Sequence, residues 1–279
     1  ARVATATASQ GLAFMWEELH IASGMRYPIV MANANRALSA PINIHGDHSD
    51  IMGVRDTGWA MMFAETAQEA YDNTIIAFKV AEDPNVLLPV LTTLDGFVTS
   101  HAMDNCVMEE DQVVKDFVGD YKPLYPLLDT ENPVGHGMFA TLGNGYMKYK
   151  LTERHALDNA LEAFEKHGKE WEEITGRSFE VVDSWGADDA DYLIVVLGSC
   201  AGNARHQARL LRAEGKKVGV VRPRIFRPFP AKQIVEACKN AKAVAVIDRS
   251  DSFGSPHAPL ALEVRAAFQD AGLQIPVSD

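Results

Sequence analysis

Short, largely apolar runs recur along the chain with helix-like segments between them, and this alternation restricts the fold more than any other feature. Pro28–Ala32, Trp59–Ala64, Val86–Leu91, Tyr192–Leu197, Val218–Val221 and Ala243–Asp248 have the length and composition of strands covered on both faces, as in parallel sheets. Parallel neighbours need a crossover, and helical stretches are present to supply it. Ser9 is placed to cap a helix over 10–23, with Leu12, Met15, Leu19 and Ala22 on one face and Gly24 at its end. Thr66 and Glu69 form a capping box, each side chain satisfying the other's backbone donor, and open a helix through Ala81 with Ala70, Tyr71, Ile75 and Phe78 inward. A third helix is expected from Thr152 to about Ile174, stopped by Gly176, and further helices over 200–214, 231–239 and 259–271. The expected fold class is α/β with two domains.

Other stretches break the pattern. From Asp104 to Lys150 proline, glycine and asparagine accumulate, as in 132–137 and 143–145, and the stretch reads as a connecting arm. At the other end the chain starts on Ala1 and goes straight into the strand-like run Val3–Ala8. Such a strand needs neighbours, so the sequence is expected to be a piece of a longer polypeptide. The region from Phe179 onward has its own alternation and is expected to fold independently.

The composition narrows the function. A formal charge of −12 argues against a nucleic-acid backbone as partner. Cys106, Cys200 and Cys238 lie far apart, which leaves a disulfide framework or a cysteine-ligated cluster unsupported and points to a reducing cytoplasm. No apolar run is long enough to span a membrane, and no signal peptide is visible.

The richest chemistry lies in the polar stretch Asn33–Asp50, which leaves the end of the strand-like run Pro28–Ala32. In an open α/β sheet such a segment lines the ligand crevice. Arg36 there is a permanent charge with a planar fork of donors, suited to a small carboxylate. An alternative stays open, that Arg36 pairs with Asp47 or Asp50 and shapes the loop. His45, Asp47, His48 and Asp50 are potential metal ligands, but their spacing matches no specific metal motif, and no metal is expected. Gly198-Ser199-Cys200 suits a tight turn better than a nucleophile elbow, although a helix starting there also offers an anion seat. Arg222, Arg224 and Arg227 suit acidic neighbours at a domain interface.

Several stretches carry a resemblance. Thr7–Leu12, Arg36 followed by Gly46-Asp47-His48-Ser49-Asp50, Arg55–Trp59, Gln68–Asp72, Leu94–His101, Thr175–Ser178, Val221–Phe229 and Val246–Arg249 resemble the pyruvate:ferredoxin oxidoreductase family. The resemblance covers nearly the whole chain. It implies the alpha subunit, or the equivalent region of a fused enzyme, lacking its N-terminal part. Residues 1–150 would be the C-terminal portion of a thiamine-diphosphate pyrimidine-binding-type parallel-sheet domain with its arm, 151–178 a linker helix, and 179–279 a transketolase C-terminal-like α/β domain. The implied activity is oxidative decarboxylation of a 2-oxoacid, pyruvate first, with coenzyme A to acyl-CoA, carbon dioxide and reduced ferredoxin. A branched-chain 2-oxoacid, 2-oxoglutarate or oxalate remains open as substrate, and a non-catalytic scaffolding subunit is the competing class.

Residue by residue, Arg36 matches the family's arginine for the substrate carboxylate, with Asn35 and Ser39 as candidates on the adjoining active-site loop. The catalytic glutamate is expected upstream of Ala1. Thiamine diphosphate and Mg2+ would be shared with a diphosphate-binding beta subunit. Gamma and cluster-bearing delta subunits complete the implied hetero-oligomer, and no iron–sulfur cluster is expected on this chain. Expressed alone, it is expected to be inactive and to bind no thiamine diphosphate.

Overall fold

The structure is a computed structural model that describes residues 2–137, 139–140 and 145–279. Residues 138 and 141–144 of the expected arm therefore lie outside the described residues, as does Ala1. In chain order the first half runs β1 (Val3–Thr7), α1 (Gln10–Phe14), α2 (Trp16–Gly24), β2 (Ile29–Asn35), α3 (Ser49–Gly53), β3 (Ala60–Phe63), α4 (Ala67–Glu82) and β4 (Val90–Asp95). After α5 (Asp111–Val118) and the long α6 (Tyr146–Thr175) come β5 (Val182–Trp185), β6 (Tyr192–Val196), α7 (Cys200–Ala213), β7 (Val218–Pro223) and β8 (Ile225–Arg227). The chain ends with α8 (Ala231–Cys238), β9 (Ala243–Ile247), α9 (Pro259–Asp270) and β10 (Val277–Ser278).

Two five-stranded sheets result, in the orders β1-β2-β4-β3-β8 and β10-β9-β6-β7-β5. Each is parallel apart from one antiparallel edge strand, β8 against β3 and β5 against β7. The α/β class expected from the apolar runs is the fold observed. One face of the first sheet packs on α4 and α6 through Val30, Met62, Ile76, Val80, Phe164 and Trp171. On the other face, Leu12, Met31, Ile51, Trp59, Phe63 and Phe226 share one continuous apolar core with Val195, Val221 and Val246 of the second sheet and Leu260 of α9.

The sharing goes further than side chains. Strand β8, from the second half of the sequence, pairs with Met61 and Met62 and completes the first sheet. Within the stretch Arg222–Pro230 the chain thus crosses from β7 of one sheet to β8 of its neighbour. A polypeptide cut at Phe179 would leave the first sheet without this edge strand.

Local differences from the sequence reading have physical reasons. The helix expected over 10–23 is two helices broken at Met15, and Ser9 does not cap it. Ser9 adopts φ 49°, and its hydroxyl donates instead to the Ala37 carbonyl at 2.7 Å. Gly24 stays helical while Arg26 takes the left-handed φ of 61°. Thr66 accepts from the Glu69 amide as expected, but the Glu69 carboxylate reaches the Glu65 amide and two arginines, so half of the capping box is spent elsewhere. Buried Ile76, Ala77 and Val80 carry the core face of α4 along with Ile75, whereas Ala70, Tyr71 and Phe78 are half-buried. Helix α6 starts at Tyr146, inside the expected arm, and ends at Gly176 in the left-handed conformation, as its glycine predicts.

Candidate functional site

Strands β1, β2, β4 and β3 all deliver their carboxyl ends to the same edge of the sheet, where the loops after Thr7, Asn35 and Asp95 meet. The side chain at the centre of that edge is Asp50, which is 1% exposed. Its Oδ2 accepts from the Ser9 amide (3.0 Å), the Asn33 Nδ2 (3.1 Å) and the Arg36 amide (3.1 Å), while Oδ1 accepts from the Ile51 amide at 2.7 Å. One carboxylate therefore ties the turn after β1, the end of β2 and the start of α3. Burial is the largest influence on Asp50 and raises its pKa, and these donors offset only part of that.

Arg36 follows directly on β2. Among the described residues its guanidinium is held by one neutral contact, Nη2 donating to Gln10 Oε1 at 3.3 Å, and its buried Nε has no hydrogen-bond partner. Neither carboxylate raised as an alternative partner takes the charge. Asp50 meets only the Arg36 backbone, and Asp47 accepts from the Ser49 amide at 2.6 Å. Among the described residues no carboxylate lies within ion-pair distance of this guanidinium. Gln10 also donates from Nε2 to Ser39 Oγ at 2.9 Å, which links Arg36 to the exposed side of the loop.

The two companion candidates separate. Ser39 is exposed on the loop, whereas Asn35 is no loop residue. It is the last residue of β2, fully buried, with its amide accepting from Asn33 at 2.6 Å and donating to Thr93. A side chain so fully satisfied within the sheet supports β2 and β4 rather than offering a contact to a ligand.

The rest of the polar stretch is knitted together. His48 and Asp95 are each 1% exposed, with Nε2 and Oδ1 2.7 Å apart, and the His48 ring meets Phe63 edge-on. The other oxygen of Asp95 accepts from the Ser199 amide (2.8 Å) and hydroxyl and from Arg249 Nη1 (2.9 Å). Burial alone would raise the Asp95 pKa, but His48, Ser199 and Arg249 together hold it well below the usual carboxylate range. The anion seat at the start of α7 is therefore filled by the protein's own carboxylate. Gly198 makes that approach possible, because at φ 60° a Cβ there would sit 2.8 Å from Asp95 Oδ2. His45 lies against Phe97 and bonds Asn43 at 2.9 Å, so His45, Asp47, His48 and Asp50 each make a hydrogen bond, although His48 Nδ1 has no partner among the described residues.

A second charged cluster lies along the seam between the two sheets. Arg222, 2% exposed, donates to both oxygens of Glu69 at 2.8 Å and reaches Asp183 at 3.2 Å. Arg224 donates to Glu69 at 2.7 Å, and Arg205 joins Glu65 to Asp183. The three arginines of the motif behave as interface residues, Arg227 included, through Glu263 at 2.6 Å.

Sequence reasoning missed Asp95, Gln10 and the linking role of Asp50. Asp50 had a local signal, as the acidic residue in the first turn of α3. The pairing of Asp95 with Arg249 had none, since the two lie 154 residues apart.

Two family comparisons fit this architecture. Residues 1–170 match the thiamine-diphosphate-binding region of pyruvate flavodoxin/ferredoxin oxidoreductases, and residues 190–278 match core domain II of pyruvate:ferredoxin oxidoreductase. The chain is 46% identical to the pyruvate synthase subunit PorA of Thermotoga maritima, over 97% of its own length and 68% of the relative's. It belongs to the pyruvate:ferredoxin oxidoreductase family. Within the family it corresponds to part of a PorA-type subunit. The PorA of Methanosarcina barkeri is 39% identical over 99% of this chain and 69% of the relative. The ketoisovalerate oxidoreductase subunit VorA of Pyrococcus horikoshii is also 39% identical, over 98% and 69%. A 2-oxoglutarate:ferredoxin oxidoreductase from Magnetococcus marinus shares the fold, with TM-score 0.67 and 18% identity over 99% of this chain and 49% of that one. A split-gene transketolase follows the same fold at TM-score 0.52 and 16% identity, over 98% and 65%. Among the described residues, no helix of this family member is long and apolar enough to cross a membrane.

Proposed function

We propose that this chain is the part of a thiamine-diphosphate-dependent 2-oxoacid:ferredoxin oxidoreductase that holds the substrate carboxylate, and that the carboxylate docks on Arg36. The observation that carries this reading is the state of the Arg36 guanidinium. It follows β2 at the carboxyl edge of a parallel sheet and, among the described residues, has one neutral partner and keeps a buried Nε unpaired. A half-buried cation left unpaired costs stability, so a carboxylate that supplies the missing acceptors gains from both charge and hydrogen bonding. Arg36 orients the 2-oxoacid and retains its proton throughout, since a guanidinium does no acid–base work at working pH.

The residues around it fit the substrate end of a thiamine site rather than its diphosphate end. The preformed anion seat at the start of α7 already holds Asp95. In this reading a partner subunit binds the diphosphate and Mg2+, and other subunits carry the iron–sulfur clusters and meet ferredoxin and coenzyme A. When bound, thiamine diphosphate supplies the nucleophilic carbon and the electron sink for decarboxylation.

Pyruvate is the first choice of substrate, in line with the PorA relatives. The VorA relative makes a branched-chain 2-oxoacid the alternative to assay beside it. The test is Arg36→Ala in the assembled oxidoreductase. Losing one desolvated charged contact of about 2–4 kcal/mol lowers kcat/KM tens- to hundreds-fold, with the complex still assembled. Unchanged kinetics with pyruvate and with 2-oxoisovalerate would reject the carboxylate role of Arg36, and a subunit inert to every such change would be a scaffold.

A further inference from the structure

We propose that Gln10 is the positioning residue of Arg36, and that its neutrality sets the affinity of the site for the substrate carboxylate. This rests on the carboxylate reading of Arg36 given above. Three contacts carry it. Gln10 Oε1 accepts from Arg36 Nη2 at 3.3 Å, Gln10 Nε2 donates to Ser39 Oγ at 2.9 Å, and Gln10 Oε1 lies 2.7 Å from Ser9 Oγ, sharing that hydroxyl's single proton with the Ala37 carbonyl. A single amide thus spans the crevice edge from the turn after β1 to the loop after β2, with the guanidinium between.

The backbone brings the amide there on purpose-built geometry. Gly11 next to it starts α1 so tightly on the end of β1 that a Cβ would stand 2.5 Å from Thr7 Oγ1. Ser9, in its left-handed conformation, is pinned by Asp50, the same carboxylate that accepts from the Arg36 amide. Gln10 and Arg36 are therefore anchored to one point and cannot drift apart independently.

The chemistry explains why an amide suits this position. A glutamine orients the guanidinium by one weak contact and leaves its charge for an incoming carboxylate. A glutamate of the same length would pair with Arg36, compete directly with the substrate, and lose the donor to Ser39. A merely structural glutamine has no reason to distinguish charge from shape.

The experiment uses the assembled enzyme and pyruvate as probe, with KM and kcat measured separately for Gln10→Glu, Gln10→Met, Arg36→Ala and the double variant Gln10→Glu/Arg36→Ala. The expected result is a KM raised about tenfold or more by Gln10→Glu and about two- to fivefold by Gln10→Met, with kcat near that of the wild type. In the Arg36→Ala background the glutamate adds nothing further, because its effect runs through Arg36. A raised KM in Arg36→Ala beside an unchanged KM in Gln10→Glu overturns the role of Gln10 and leaves that of Arg36 standing. An unchanged KM in Arg36→Ala rejects the carboxylate reading itself. Full additivity in the double variant overturns the proposal, since Gln10 would then act without Arg36. If Gln10→Glu does not assemble, Gln10→Met decides alone, and an unchanged KM there overturns the proposal.

Discussion

Arg36 and Arg222 are both withdrawn from water, yet their surroundings treat the charge in opposite ways. Arg222, on the seam between the sheets, faces Glu69, Glu65 and Asp183 within 3.3 Å. Among the described residues, Arg36, on the crevice edge, meets one glutamine oxygen and no carboxylate. A buried cation with several acidic partners is held in a finished structure, where removing it strands the carboxylates. A cation kept from its acidic neighbours by their engagement elsewhere is poised for a ligand. Asp50 and Asp47 lie close in sequence to Arg36, but backbone amides occupy them first. The difference between support and site lies in which acceptors remain free, not in how basic a region is.

The largest expected effect separates the two arginines by stability. Arg222→Ala should destabilise the protein by about 3–5 kcal/mol, because Glu69 loses both of its Arg222 contacts and Glu65 and Asp183 lose the buried cation between them, with Arg224 and Arg205 left at their margins. Denaturant midpoints of the assembled enzyme measure it. A loss below about 1 kcal/mol would mean that the seam is held by its apolar contacts alone.

Next in size, Arg36→Ala should lower kcat/KM by the equivalent of about 2–4 kcal/mol while moving the unfolding midpoint by less than about 0.5 kcal/mol. If the two variants exchange behaviours, with Arg222 governing KM and Arg36 governing stability, the contrast drawn from partner counts fails.

The same contrast explains what the sequence made legible. Apolar runs announce strands because a parallel sheet buries both faces, and β2, β3, β6, β7 and β9 lie where those runs are. Gly176 and Thr66 were readable because caps are local. Strand β8 was not, since three residues of Ile225–Arg227 carry no period and their partners Met61 and Met62 are far away in the chain. Arg36 stood out by type and by its place after a strand. Whether it was paired depended on where Asp47 and Asp50 turn, which no spacing rule fixes. Gln10 was visible only as part of a motif, because an amide that orients a distant side chain leaves no signature in composition.

The smallest effects concern two buried aspartates, whose pH responses should run in opposite directions. Asp95 has a folded-state pKa depressed by His48, Ser199 and Arg249 against the pull of burial. Its contribution is therefore present above the unfolded carboxylate value, about 4, and is lost as pH falls through the lower folded value. Asp50 has a folded-state pKa raised by burial, with only amide donors to offset it. Its contribution is favourable below the unfolded value and is lost as pH rises through the folded one. Wild type should then lose stability relative to Asp95→Asn as the solution is acidified below about pH 4. Relative to Asp50→Asn it should gain as pH falls from neutrality toward the carboxylate range. The slopes are limited to about 1.4 kcal/mol per pH unit for a single proton. Denaturant midpoints of the three proteins at matched pH values measure both slopes. Parallel slopes would show that Asp50 and Asp95 feel the same environment, and that the ionic partners of Asp95 across the two sheets contribute nothing to its charge.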